Sequence, residues 1–206
     1  MRHTWIFAAV LLTASVASAR ERRYRGDDGR HEHDGFYLRL QLGGGYTQAS
    51  LTGEDFAIKG GGVGINAEFG GAVARNFILY GKLYGTSAPN PDIEVGDITV
   101  EGQDDDVSQN IGALGGGITY YIMPANVYLT GGLSFAQLSI SDDGDTVAET
   151  DLGGALHLGL GKEWWVSDDW GLGIGAELAV GRVPEKNDAE RWNIVNAMLF
   201  FSATFN

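Results

Sequence analysis

Four charged residues of this 206-residue sequence stand where charge is costly: Arg39, Glu68, Lys82 and Glu177. Each lies in a stretch of alternating apolar residues, on the parity opposite to the apolar ones, and Glu163 joins them. Opposite charges that share a poorly solvated interior must pair. Such a set could act as a gate, exchanging partners to admit ions, or as a plug that only satisfies itself. His157, the one histidine in an alternating segment, shares their inward parity and could serve as a base beside a nucleophile. Ser202, also inward, lies two strands away in sequence order. His31 and His33, one residue apart in a charged run, lack the third ligand a metal site needs. No catalytic, cofactor or metal residue is assigned from these patterns.

The elements that must hold those charges are strands. Phe36, Leu38, Leu40 and Leu42 share one face of the first segment, with Tyr37, Arg39 and Gln41 on the other. The second sets Val63, Ile65, Phe69 and Val73 against Asn66 and Glu68; the third sets Phe77, Leu79 and Leu83 against Tyr80, Lys82 and Tyr84. Leu114, Ile118, Tyr120 and Ile122 agree in parity in the fourth. Val127, Leu129, Leu133 and Phe135 agree in the fifth, where the pattern changes at Leu138 and Ile140, as at a bulge or the end of a membrane-facing part. Leu156, Leu158, Leu160 and Trp164 mark the sixth, and Trp170, Leu172, Ile174, Ala176, Leu178 and Val180 the seventh. The last places Val195, Ala197, Leu199, Phe201, Ala203 and Phe205 on one face, because successive strand side chains point to opposite sides.

Connections alternate in length. Ala74–Asn76, Met123–Asn126 and Ser167–Asp169 read as tight turns. The stretches near 47–62, 85–108, 141–151 and 182–191 read as long loops, and those at 85–108 and 141–151 are acidic without a basic residue. In an up-and-down sheet this puts every long loop at one end. Within the longest loop, Ile93–Val95 and Ile98–Val100 could extend the hairpin of the third and fourth segments as a recognition edge. Carboxylates of these loops could bind Ca²⁺ or Mg²⁺ and bridge to anionic lipopolysaccharide, although SDDGDTVAETD lacks the ligand spacing of an EF-hand.

Composition narrows the class. Residues 1–19 read as a signal peptide: basic Arg2, a short apolar run and the small residues Ala17-Ser18-Ala19. Residues 20–34 are densely charged and aperiodic, and read as a disordered segment. Arg2 is the one charged residue before the expected cleavage, so the formal charge of −13 becomes −14 on processing. That acidity argues against nucleic acid. Cys is absent, which excludes a disulfide frame and thiolate chemistry.

Alternation alone does not separate a lipocalin from a membrane barrel. Segments of about ten residues, loops segregated by end, and Trp164, Trp165 and Trp170 about one turn favour the membrane barrel. The expected fold is all-β: an eight-stranded antiparallel up-and-down transmembrane β-barrel over 35–206.

The signal peptide, the eight segments, GFYLRLQLGGGY at 35–46, GKEWWVSDDWGLGIGAEL at 161–178 and the aromatic final strand resemble the outer-membrane β-barrel family, the small OmpA/OmpX-type barrels. The resemblance implies a bacterial outer-membrane location, periplasmic termini, and delivery by the barrel assembly machinery. It is silent on activity, because adhesins, structural proteins and enzymes share the pattern. That family commonly ends on Phe, whereas Asn206 follows Phe205 here. Nothing around His157 and Ser202 resembles the histidine-to-serine spacing of the lipid A deacylases. The expected function is therefore non-enzymatic, structural or surface-interacting, by a monomer in contact with outer-membrane lipids and lipopolysaccharide. A narrow ion pore gated by the interior salt bridges is the alternative, and a lipid-modifying enzyme a third reading.

Overall fold

A computed structural model describes residues 32–102, 106–186 and 188–206. The expected signal peptide and residues 20–31 of the charged segment, His31 included, lie outside the described residues.

The strands are β1 (Phe36–Leu51), β2 (Phe56–Ala74), β3 (Phe77–Pro89), β4 (Asp92–Val95), β5 (Ile98–Val100), β6 (Val107–Ile122), β7 (Val127–Asp142), β8 (Asp145–Glu149), β9 (Gly153–Trp165), β10 (Trp170–Pro184) and β11 (Arg191–Phe205). Eight of them, all but β4, β5 and β8, form an antiparallel barrel in sequence order. Closure comes from β11 pairing with β1, from Leu38 opposite Phe205 to Leu51 opposite Trp192. Each of these eight strands thus pairs on both sides, and no open edge faces hydrocarbon.

Parity decides which residues face lipid. Leu199 and Phe201, on the expected outer face of β11, are 69% and 75% exposed, with Val195 and Ala197 exposed beside them. Ala203 and Phe205 are half-buried, because Phe205 packs against Phe36 and Trp170 at the turn end. The tight turns form as expected, and Asn76 and Asn126 occupy them at φ 59° and 51°, a left-handed conformation that Asn tolerates.

Several sequence expectations are corrected above the membrane. Most of the stretches read as long loops are strand. Only 52–55 separate β1 from β2, and 185–190 separate β10 from β11. Ten residues of a tilted strand cross an apolar band about 25 Å tall. The remaining residues of the 16-residue β1 and the 19-residue β2 rise beyond it, where no lipid imposes an alternating pattern. The inward parity of β7 continues through Leu138, although its pairing with β8 shifts register between Ile140 and Ser141, as at a bulge. Ser134, Ala136 and Leu138 are buried in alternation on one face, and the register with β6 is continuous from Val107 to Ile122. The apparent change arose because the inward positions themselves become apolar. The Ile93 and Ile98 segments do form a hairpin, but β4 pairs with β2 rather than β3, from Phe56 opposite Val95 to Lys59 opposite Asp92. Lys59 Nζ lies 2.6 Å from Glu94 Oε2, and that hydrogen bond holds its ammonium pKa above the usual lysine value.

Candidate functional site

Eight strands leave an interior just wide enough for side chains to fill, and here the filling is layered. At the turn end, Tyr37, Tyr121 and Tyr128 form a buried aromatic layer with Ile78 and Tyr80. His33 stacks on Tyr121 with ring centroids 3.5 Å apart, and its Nε2 lies 2.8 Å from Asn126 Oδ1. The end of the charged segment is therefore ordered, contrary to expectation. Trp165 tilts over His33 at 5.1 Å, which withdraws it from the girdle expected at this turn. Glu163 sits in the same layer and accepts from neutral donors, Tyr121 at 3.0 Å and Thr204 at 2.6 Å.

The four charges singled out by parity meet in the middle of the lumen. Arg39 donates to Glu68 Oε2 through Nη2 at 2.6 Å and Nε at 3.1 Å, with both side chains fully buried. Lys82 donates to both oxygens of Glu177 at 2.8 Å and approaches Glu68 Oε1 at 3.6 Å. Tyr37 and Asn66 complete the Glu68 shell, at 3.2 and 3.0 Å. The Arg39 guanidinium also lies 4.1 Å over the Tyr128 ring. The two cations and two carboxylates thus form one chain, Arg39–Glu68–Lys82–Glu177, which replaces the water each charge lost on burial.

This chain continues through His157 to Ser134, which the sequence did not single out. His157 Nδ1 is 2.9 Å from Glu177 Oε1, and His157 Nε2 is 2.8 Å from Ser134 Oγ. A carboxylate only accepts, so Nδ1 carries the hydrogen; in the neutral ring Nε2 then accepts the Ser134 hydroxyl. Serine, imidazole and carboxylate in this order have the connectivity of an activated nucleophile. Ser202, the hydroxyl considered from the sequence, instead lies toward Glu163 at 3.5 Å. No spacing rule could have found Ser134, because it meets His157 through the β7–β9 register, in which Gly132 rather than Ser134 is opposite His157. The array is buried, with Ser134, His157 and Glu177 all inside the barrel. Lys82 already neutralises Glu177, Tyr84 packs edge-on against His157 at 5.1 Å, and an apolar cluster lies beyond toward the loops, with Thr47, Gln109 and Asn196 buried near it.

That apolar layer was also missed. Ile111, Leu138, Val183, Trp192 and Ile194 cluster with Ala49, Ala136 and Ala155 inside the barrel at the loop end. Phe56 meets the Trp192 ring edge-on at 5.7 Å. Trp192 and Ile194 share the inward parity of Asn196 and Ser202, so the signal was present in the alternation. It was hidden by the expectation of a polar interior. Among the described residues, no group of three His, Cys, Asp or Glu side chains could hold a metal ion.

The model of the outer membrane protein beta-barrel domain matches residues 6–188. Among solved structures, Neisserial surface protein A is 15% identical and aligns over 84% of this chain and 97% of that one, with a TM-score of 0.56. The attachment invasion locus protein Ail of Yersinia pestis is 12% identical over 82% of this chain and 99% of that one, with a TM-score of 0.41. Outer membrane protein OprG of Pseudomonas aeruginosa is 11% identical over 84% and 97%, with a TM-score of 0.42. At these identities the likeness is one of fold, and it rests on the first of the three. A search of curated proteins gives no match.

Proposed function

From the premise that the chain belongs to the outer membrane protein β-barrel family and sits in the bacterial outer membrane, we propose that it is a non-enzymatic surface barrel. Its extracellular strands make the contacts, and its lumen serves as a structural plug. The observation that carries this reading is the continuous filling of the lumen: an aromatic layer, a paired-charge layer and an apolar layer, stacked from the turn end to the loop end. An ion passing through would have to cross the apolar layer without compensating charge. A substrate reaching the Ser134 hydroxyl from the loop end would have to displace that layer.

By contrast, the outer end offers accessible surface. The β4–β5 hairpin carries Ile93, Val95, Ile98 and Val100 on one face, all exposed, with Asp97 and Glu101 flanking them and Asp92 and Glu94 on the opposite face. Apolar residues flanked by acids suit a partner that is apolar and basic. The test compares cells displaying the wild-type protein with cells in which 92–101 is replaced by a two-residue turn, for retention on a layer of lysine-rich amphipathic peptide. Salt-sensitive retention that requires the hairpin supports the reading, and equal retention by both contradicts it.

The enzyme reading makes its own prediction. Ser134 should remain unlabelled by a fluorophosphonate probe in folded protein in lipid, under conditions that label a serine esterase fully. Covalent labelling that disappears in Ser134→Ala or His157→Ala would show that the array is reachable and active.

A further inference from the structure

The lipid-facing wall has a gap that its own pattern does not require. Outward positions of β9 alternate as Leu156, Leu158 and Leu160, yet the next outward position toward the loops is Gly154. A side chain there would meet nothing: no heavy atom lies within 4 Å of where a Cβ would stand. Glycine in a strand weakens it and contributes nothing to a lipid face. Together with Gly116 of β6 it leaves a groove of about 930 Å³, walled by Leu133, Phe135, Leu152, Leu156 and Val180 and bounded by Arg182. That volume lies within the range of ligand sites.

The groove's outer end carries charge. On β10 the outward residues run from Trp170 to Val180 and then reach Arg182. Ten residues of tilted strand span the apolar band, which puts Arg182 at the outer-leaflet headgroup level. Arg191 lies beside it on the outward face of β11, because Arg182 pairs with Asn193 and Pro184 with Arg191. Of the other described cations, Arg39, Lys59, Arg75, Lys82 and Lys186 meet carboxylates, and Lys162 at the turn end donates to the Ala125 carbonyl. Among the described residues Arg182 and Arg191 form no ion pair; Arg182 only donates to Thr52 Oγ1 at 3.3 Å.

We propose that the outward face of β7, β9, β10 and β11 is a binding site for lipid A. One acyl chain lies in the groove over Gly154, and a glucosamine phosphate is held by Arg182 and Arg191. The fit is by charge complementarity: guanidinium groups match phosphate oxygens, and such charge-assisted bonds are the strong ones. The contact is direct, unlike divalent cations bridging the acidic loops. It depends on the outer-membrane location and is independent of the surface-contact reading above, which could fail while this site holds.

The test titrates delipidated full-length mature protein, in detergent with EDTA present, with lipid A, dephosphorylated lipid A or phosphatidylglycerol, read by native mass spectrometry. Wild-type protein should retain lipid A. Arg182→Gln with Arg191→Gln should weaken retention about tenfold, and Gly154→Leu, which fills open space, should do the same with the heat-modifiable fold intact. Dephosphorylated lipid A should bind the wild type as weakly as lipid A binds the arginine variant. Equal retention of lipid A by all three proteins would overturn the site. So would phosphatidylglycerol bound as tightly as lipid A, or lipid A adducts that form only without EDTA.

Discussion

Glu68→Ala should lower the unfolding free energy of the barrel by about 3–5 kcal/mol, because it leaves a buried cation unpaired. Glu68 takes both hydrogen bonds that Arg39 gives to a carboxylate and also accepts from Tyr37 and Asn66. Lys82 keeps Glu177 after the change, whereas Arg39 keeps no carboxylate. The Tyr128 face beneath the guanidinium offsets only part of that loss. Urea titration of the protein folded into lipid vesicles, followed by tryptophan fluorescence, reads the difference. Replacing both partners with apolar residues of similar volume, Arg39→Met with Glu68→Leu, should recover most of it, since a missing pair costs far less than a broken one. A loss below about 1 kcal/mol for Glu68→Ala would mean that water reaches the centre of the lumen, which the plug forbids.

The second large effect belongs to the apolar layer. Trp192→Ala should cost about 3–5 kcal/mol, the usual range for deleting a buried aromatic. Trp192 fills the loop end of the lumen against Phe56, and its Nε1 donates to Glu185. The same urea titration measures it, and Trp192→Phe should recover most of the loss because it refills much of the volume. If Trp192→Ala were nearly neutral, the cluster would be surface decoration and the lumen open from outside.

The fold was legible in the sequence wherever lipid imposed a period of two. Leu199 and Phe201 on one side, and Arg39, Glu68, Lys82 and Glu177 on the other, fell out of parity alone, since each strand must show apolar residues to hydrocarbon. Legibility ended where that constraint ended. Above the membrane both faces of β1 and β2 meet water or the lumen, so their extensions looked like loops. Leu138 and Trp192 are apolar yet inward, and a reading that equated apolar with outward could not place them. Ser134 escaped for a different reason: its contact with His157 depends on strand register across a closed sheet, which local sequence does not encode. His33 was read as part of a solvated tail because a charged neighbourhood hides the one residue that stacks inside.

The central claim is that the lumen is filled from end to end, and single-channel recording in planar bilayers tests it most directly. Wild-type protein should give no sustained conductance in 1 M KCl across the usual voltage range. Discrete openings in the wild type, with a size altered by Glu68→Ala or Lys82→Ala, would contradict the plug and make the charge chain a gate.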